Sequence, residues 1–390
     1  AYLVGGSVRD LLRGEENLDI DIVIEGDGIS FAKAFGERLN AKVRPHQIFG
    51  TAKVITDELK LDVATARTEY YESPAALPKV ETSSIKKDLY RRDFTINTLA
   101  IKLNPKDFGL LIDFFGGQRD LREKAIRVLH NLSFIEDPTR AFRAIRFSER
   151  FGFKISKHTE NLIKLAIKMN LFDRLSGTRL YEELLLSFNE TEPVRTLKRF
   201  SDFGLLRVIH PNLISNDELE ATFKSMHETL SWFNLLFLEE KTDRGVLYLM
   251  ALLSGLKDEE VKATIERLSP PPKVGDMIIR GISYARDVLK RLPLDDPLEI
   301  YNLLSKLKLE TVLFAMAMSK DRQKQKVISR YLTELRKVKT ILKGEDLKNM
   351  GIQPGPVYSK IFKELLEEKL RGRLKSREDE ERFVRTFIPA

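Results

Sequence analysis

The stretch Asp19-Ile20-Asp21-Ile22-Val23-Ile24 alternates acid with branched apolar residue before turning wholly apolar. That period of two predicts a strand from Leu18 to Glu25. In a strand, residues two apart share a face and lie about 6.6 to 6.8 Å apart along the chain. Asp19 and Asp21 therefore point one way, while Ile20, Ile22 and Ile24 anchor the other face in a core. Carboxylates so spaced can straddle two metal ions about 3.5 to 4 Å apart. A bare Asp-x-Asp more often marks a half-buried strand with a solvated acidic face, so its neighbours must decide.

Upstream, Tyr2-Leu3-Val4 reads as a short strand that ends in Gly5-Gly6, and a helix follows through Val8 to Leu12. Glycines let phosphate approach the backbone, and a helix N-terminus offers unpaired N–H groups. Gly6 and Arg9 are the candidate phosphate contacts there, with Gly5 supporting the turn. A glycine turn followed by a carboxylate pair on the next strand is what nucleotidyl transfer requires.

Downstream, Ile29 to Leu39 has helical periodicity, and Ala52 to Ile55 and Leu61 to Ala64 read as strands. Asp62, flanked by apolar residues, is a third candidate carboxylate. An acid at a strand end explains it equally well. The segment Glu69 to Ser83 contains Pro74 and Pro78 and no clear period, so it is expected to be a functional loop. From Asp137 onward apolar residues recur at helical spacing. Pro270-Pro271-Pro272 is the clearest break in the second half. The fold class is therefore α+β, a small mixed-sheet head followed by a long all-helical extension.

The 390 residues exceed one ordinary core. Four segments are expected: a head at 1–125, a neck at 126–185, a body at 186–270 and a tail at 271–390. The longest apolar run, Gly245 to Leu256, is too short for a membrane span and reads as a buried helix. No signal peptide is visible and the expected location is cytoplasmic. The chain opens at Ala1 directly inside a strand, which suggests a piece of a longer protein. There are no cysteines, and none of the five histidines forms a His-x-x-x-His pair. Zinc is disfavoured, and a hard cation held by carboxylates, magnesium, is expected instead. A net charge of +8 suits a polyanionic partner.

Taken in order, Gly5-Gly6-Ser7-Val8-Arg9-Asp10, Asp19-x-Asp21 and Arg91-Arg92-Asp93-Phe94-Thr95-Ile96-Asn97 resemble the class II tRNA nucleotidyltransferases. So do Glu136-Asp137-Pro138-Thr139-Arg140 with Arg143-Ala144-Ile145-Arg146-Phe147, and Arg179-Leu180-Tyr181-Glu182-Glu183-Leu184. This family of CCA-adding enzymes and bacterial poly(A) polymerases belongs to the DNA polymerase beta superfamily. The resemblance is strong over residues 1 to 185 and weaker beyond, apart from Gly351-Ile352-Gln353-Pro354-Gly355-Pro356. It implies two-metal transfer of a nucleotide from ATP, or from CTP and ATP, to a tRNA 3′ end. The tRNA acceptor arm would lie on the helical body and tail.

Base choice without a template has a physical solution. Adenine and cytosine present an amino donor beside a ring acceptor, and guanine and uracil present the reverse. An ionised Asp only accepts and an Arg only donates, so a fixed Asp/Arg pair selects A or C. Asp137 and Arg140 are the candidates, three apart on one helix. Asp137 before Pro138 is also a good helix cap. Arg143 and Arg146 continue the series, either as nucleotide contacts or as a solvated basic face. The resemblance also assigns Arg92 to the triphosphate or sugar, with Asp93, Asn97 and Glu136 in support. The run Glu69 to Pro78 with Leu89-Tyr90-Arg91-Arg92 resembles the A-adding subgroup. The basic run Lys363 to Arg377 is either a solvated helix end or a phosphate track, and in the second case tRNA affinity falls steeply with salt.

Overall fold

The computed structural model describes residues 1–47, 50–76 and 78–388, which form two compact units, Ala1–Ser215 and Asn216–Ala390. This division is coarser than the four segments expected from sequence.

The first unit opens with strand β1 (Tyr2–Val4), helix α1 (Gly6–Arg13), strand β2 (Ile20–Ile24) and helix α2 (Gly28–Arg38). The chain enters α1 through Gly5 at φ 71° and leaves through Gly14 at φ 72°. Both lie in the left-handed region that glycine reaches without a Cβ penalty. Asp27 caps α2 by accepting from the Ser30 N–H. Strands β3 (Lys42–His46), β4 (Thr51–Ile55) and β5 (Lys60–Thr65) follow. With β8 (Ala100–Lys102) and β9 (Leu111–Ile112) they form a mixed seven-stranded sheet, β3-β4-β5-β2-β1-β8-β9. All pairings are antiparallel except β2 with β5, which run parallel and place Asp21 directly beside Asp62.

The sheet face carrying Ile22, Ile24, Val54 and Val63 packs under α2 around Ala32. On the other face Val4, Val23 and Ala100 pack with Ile85 and Leu89 of α3 (Ile85–Tyr90). The alternation expected at 19–24 is therefore present, although the regular strand begins at Ile20, one residue after Asp19.

The proline-containing segment is more ordered than its sequence suggests. Its ends form an antiparallel ribbon, β6 (Arg67–Tyr70) with β7 (Lys79–Thr82), which registers Glu69 opposite Val80. The Ala75 N–H bonds the Ile135 carbonyl, so the connection docks on the helices that follow. Leu77, inside the quoted run, lies outside the described residues.

After α4 (Gly117–Arg122) come β10 (Ala125–Ile126), α5 (Ser133–Glu136), α6 (Thr139–Phe151), β11 (Lys154–Ile155), α7 (Lys157–Lys168) and α8 (Gly177–Phe188). Helix α6 buries Phe142, Ile145 and Phe147 and stops at Gly152, φ 66°.

The second unit is helical, from Asp217–Asn234 to Arg377–Arg385. The apolar run at 245–253 is wholly buried in the helix Arg244–Leu253, as expected. Pro270 and Pro271 separate two helices, and Pro272 opens the second. The basic run at the end is internally paired: Arg371 and Arg373 face Glu368, and Arg377 faces Glu381 and Asp346. That pairing fits a solvated helix end better than a row of open phosphate ligands. No helix among the described residues is long and apolar enough to cross a membrane.

Candidate active site

A cleft of about 780 Å³ gathers nearly every site residue named from the sequence. Asp19, Asp21 and Asp62 line it together with Arg92, Asp93, Asn97, Asp137, Arg140, Arg143, Arg146, Gly6 and Arg9. Gly5 and Glu136 are not among its lining residues.

Ser7 fixes the spacing of the acidic pair. Its hydroxyl donates to the Asp19 carbonyl at 2.7 Å and accepts from the Asp21 N–H at 3.4 Å. Asn17 adds a second tie, accepting from the Asp19 N–H at 2.9 Å and donating to Asp10 at 2.8 Å. Burial raises the Asp21 carboxyl, and the charges of Asp19 and Asp62 add to that against Arg92 and Lys53. Like charges crowded at a half-buried site are stabilised by a bound cation. Hard oxygen donors suit a divalent one. Asp62, though in register with Asp21, is engaged by Lys53 at 3.3 Å. Among the described residues no three His, Cys, Asp or Glu side chains gather into a metal cage. The candidate metal ligands are thus Asp19 and Asp21, with the remaining coordination left to ligands from outside the protein.

Arg9 differs from the expectation of an open phosphate contact. Its guanidinium grips Asp10 through two bonds of 2.7 Å and donates to Asn97 at 2.6 Å. It also lies 4.5 Å from the Phe151 ring centre. With every nitrogen held, Arg9 braces the glycine turn. Arg92 fits the phosphate role better. One of its nitrogens bonds Asp88 at 3.2 Å, while its Nε is buried without a hydrogen-bond partner. A Cβ added at Gly5 would lie 2.5 Å from Arg92 Nη1, so the glycine lets this cation approach the turn.

Helix α6 turns Arg140, Arg143 and Arg146 into the cleft, as their spacing implies. None is simply solvated. Arg143 bonds Asp93 at 2.7 Å and Glu183 of α8 at 3.1 Å. Asp93 also accepts from Asn97 at 2.8 Å. Burial alone would raise the Asp93 carboxyl, but Arg143 and Asn97 outweigh it and hold it at about 2. Arg146 is held less firmly, 3.5 Å from Glu183 and 3.6 Å from Glu190. Its Nε is buried without a partner, and burial lowers its pKa. Orphaned guanidinium N–H groups at Arg92 and Arg146 are what an anionic ligand would satisfy.

Asp137 and Arg140 share the cleft wall; the Arg140 N–H donates to the Asp137 carbonyl at 3.1 Å, but among the described residues no bond joins their side chains. Asp137 Oδ1 accepts from the Thr139 N–H at 3.0 Å and hydroxyl at 2.5 Å, and pairs with Arg179 at 2.7 Å. Helix α6 begins at Thr139 behind Pro138, so Asp137 lies one residue before the cap position expected of it and ties the first helical N–H with one oxygen only. Arg140 donates to Ser133 Oγ at 2.9 Å and to the Arg91 carbonyl at 2.8 Å, beside Glu136 at 3.5 Å. These bonds do not use all five guanidinium donors.

Several supporting residues carried no role in the sequence reading. Ser7, Asn17 and Asp88 gave no spacing signal. Arg179 and Glu183 lay in a recognised motif, but their partners are far away in sequence.

Comparison with known proteins gives the family of the chain. The family model described as the Poly A polymerase head domain matches residues 1–127, and the probable RNA and SrmB-binding site of polymerase A matches 152–217. The chain is 48% identical to an A-adding tRNA nucleotidyltransferase of Geobacter sulfurreducens and 40% identical to one of Aquifex aeolicus. It covers 98% and 90% of its own length in these matches but only 44% and 43% of theirs. The chain thus spans less than half the length of these two relatives. It is 34% identical to an A-adding tRNA nucleotidyltransferase of Halalkalibacterium halodurans, covering 99% of this chain and 88% of that one. Among solved structures, a CCA-adding enzyme in an apo form superposes with TM-score 0.79 at 39% identity, over 99% of this chain and 91% of the other. A Thermotoga maritima CCA-adding enzyme complexed with tRNA gives 0.74 at 36%, over 100% and 91%. Near-complete alignment with these relatives, on a head that carries the glycine turn and the paired carboxylates, shows that the chain belongs to the tRNA nucleotidyltransferase family.

Proposed function

We propose that this chain adds the terminal A to tRNA, transferring AMP from ATP to the 3′ hydroxyl with release of pyrophosphate. The observation that carries the reading is the Asp19/Asp21 pair, held by Ser7 and lining one cleft with Arg92, Arg140, Arg143 and Arg146. A-adding is preferred to full CCA addition because three relatives, at 48%, 40% and 34% identity, are named for A-adding. Full CCA addition with CTP and ATP is the second reading, favoured by solved structures of CCA-adding enzymes that match nearly the whole chain.

Asp19 and Asp21 would hold Mg2+, which when bound lowers the pKa of the attacking hydroxyl and offsets charge on the triphosphate. The protein's own part is positioning. Arg92 and Arg146 line the cleft with few hydrogen-bond partners of their own, and would turn their guanidinium groups to phosphate oxygens. Arg143 stays fixed between Asp93 and Glu183 and so ties α6 to Asp93 and to α8. Asp137 accepts from the adenine amino group with the oxygen not used by Thr139 and Arg179, and Arg140 donates to the ring nitrogen. The tRNA acceptor arm would follow the helical part of the chain. The test supplies CC-ended tRNA and labelled ATP with Mg2+. Incorporation by the wild type that disappears in Asp21→Ala supports the reading, and equal incorporation by both removes it.

A further inference from the structure

We infer that Asp88 is the positioning residue that aims Arg92 at the nucleotide and ties that end of the cleft to the ribbon β6–β7 and to Arg140. The inference deepens the reading of Arg92 as a triphosphate contact and rests on it.

Asp88 is fully buried on α3, outside the residues that line the cleft. Burying a lone carboxylate is costly unless it is paired and hydrogen-bonded. Asp88 meets that cost with cations that all serve the site. Oδ2 accepts from Arg92 at 3.2 Å. Oδ1 accepts from Arg91 Nε and Nη2 at 3.0 and 2.9 Å, and from the Arg67 N–H at 3.3 Å. Each of these bonds leads to a different part of the site. Arg92 faces the acidic pair, close enough for its charge to act on Asp21. Arg91 Nη1 reaches Glu69 on the ribbon at 2.8 Å, and its carbonyl takes a bond from Arg140. Arg67 begins the ribbon. One carboxylate therefore sets the orientation of a cation beside the reacting phosphates and the backbone position that supports the base-facing arginine. Among the described residues the bond to Asp88 is the one hydrogen bond of the Arg92 guanidinium, so little else fixes its direction. Asp88 touches neither metal nor nucleotide, and its influence must pass through Arg92 and Arg91.

A double-mutant cycle tests this with the full chain, CC-ended tRNA, ATP and Mg2+. Asp88→Asn is expected to lower kcat/KM for ATP about 10- to 100-fold, the range for losing a charge-assisted bond. The Kd for tRNA should stay within about twofold, because general damage would weaken both. In an Arg92→Ala background the same change should cost at least about threefold less, the remainder passing through Arg91. Full additivity with an impaired Arg92→Ala overturns the positioning role while leaving the site reading intact. If Arg92→Ala itself leaves ATP kinetics unchanged, the nucleotide role of Arg92 fails and this inference falls with it. Should Asp88→Asn not fold, Asp88→Glu keeps the buried charge and displaces both guanidinium groups, and the same cycle applies.

Discussion

Arg179 holds the carboxylate of Asp137 at 2.7 Å, and the same guanidinium donates to the Ala75 carbonyl at 3.3 Å. The residue proposed to read the base is thus fixed from α8 as well as from Thr139 at the start of α6. Asp137→Ala should reduce preference for ATP over GTP by about 5- to 100-fold, the cost of one lost readout contact. It should also destabilise the fold by ~1 kcal/mol through the lost cap to Thr139. Arg179→Ala leaves the cap in place, so it should lower selectivity less and stability differently. Steady-state kinetics with each nucleotide and thermal melts separate the two effects. An unchanged preference in Asp137→Ala would leave that residue a helix cap alone.

Asp21→Ala removes the more buried member of the carboxylate pair. Transfer should fall by at least about 10³-fold, the equivalent of several kcal/mol of transition-state stabilisation. Binding of tRNA should change little. Single-turnover assays and filter binding on the same preparation distinguish the two, and retained turnover would remove the metal assignment.

Gly5→Ala is a small change with two separate costs. At φ 71° a Cβ is strained by ~1 to 2 kcal/mol, and the methyl would lie 2.5 Å from Arg92 Nη1. We expect a lowered melting temperature and a raised KM for ATP. Gly14→Ala, also at positive φ but with nothing within 4 Å of its added Cβ, should show the strain without the KM effect.

Acid should weaken the first unit through Asp93. Its folded pKa is depressed from 3.8 to about 2. A depressed acid stabilises the fold above its unfolded pKa, and that stabilisation is lost as pH falls through the folded value. The window is therefore about pH 4 down to 2, and the contribution is on the order of 2 kcal/mol. Circular dichroism during acid titration should show Asp93→Asn to be less stable than wild type at pH 7. The gap should close toward pH 2, and a constant gap would contradict the linkage.

The strand at 19–24 was legible because a period of two with branched residues leaves one arrangement for a half-buried strand. The arginine series on α6 was legible as a face for the same kind of reason. Its partners were not: spacing places Arg143 beside Arg140 and Arg146, but nothing local shows that Asp93 and Glu183 will bind it. Arg9 was legible as a cleft residue, but its pairing with Asp10 and Asn97 was not. Strand β3 gave little signal because it is an edge strand, mostly exposed, with Pro45 inside it. The ribbon was hidden for another reason. Its strands are short and joined through prolines, so their pairing is fixed by packing rather than by local pattern.

The most direct measurement offers the purified protein three tRNAs, one lacking CCA, one ending in CC and one complete, each with ATP, CTP, GTP or UTP alone and Mg2+. Extension of the CC-ended tRNA by ATP, with the other combinations left unextended, is the predicted result. Addition of C to the tRNA lacking CCA would show full CCA addition instead, and no extension of any tRNA would contradict nucleotidyl transfer by this chain.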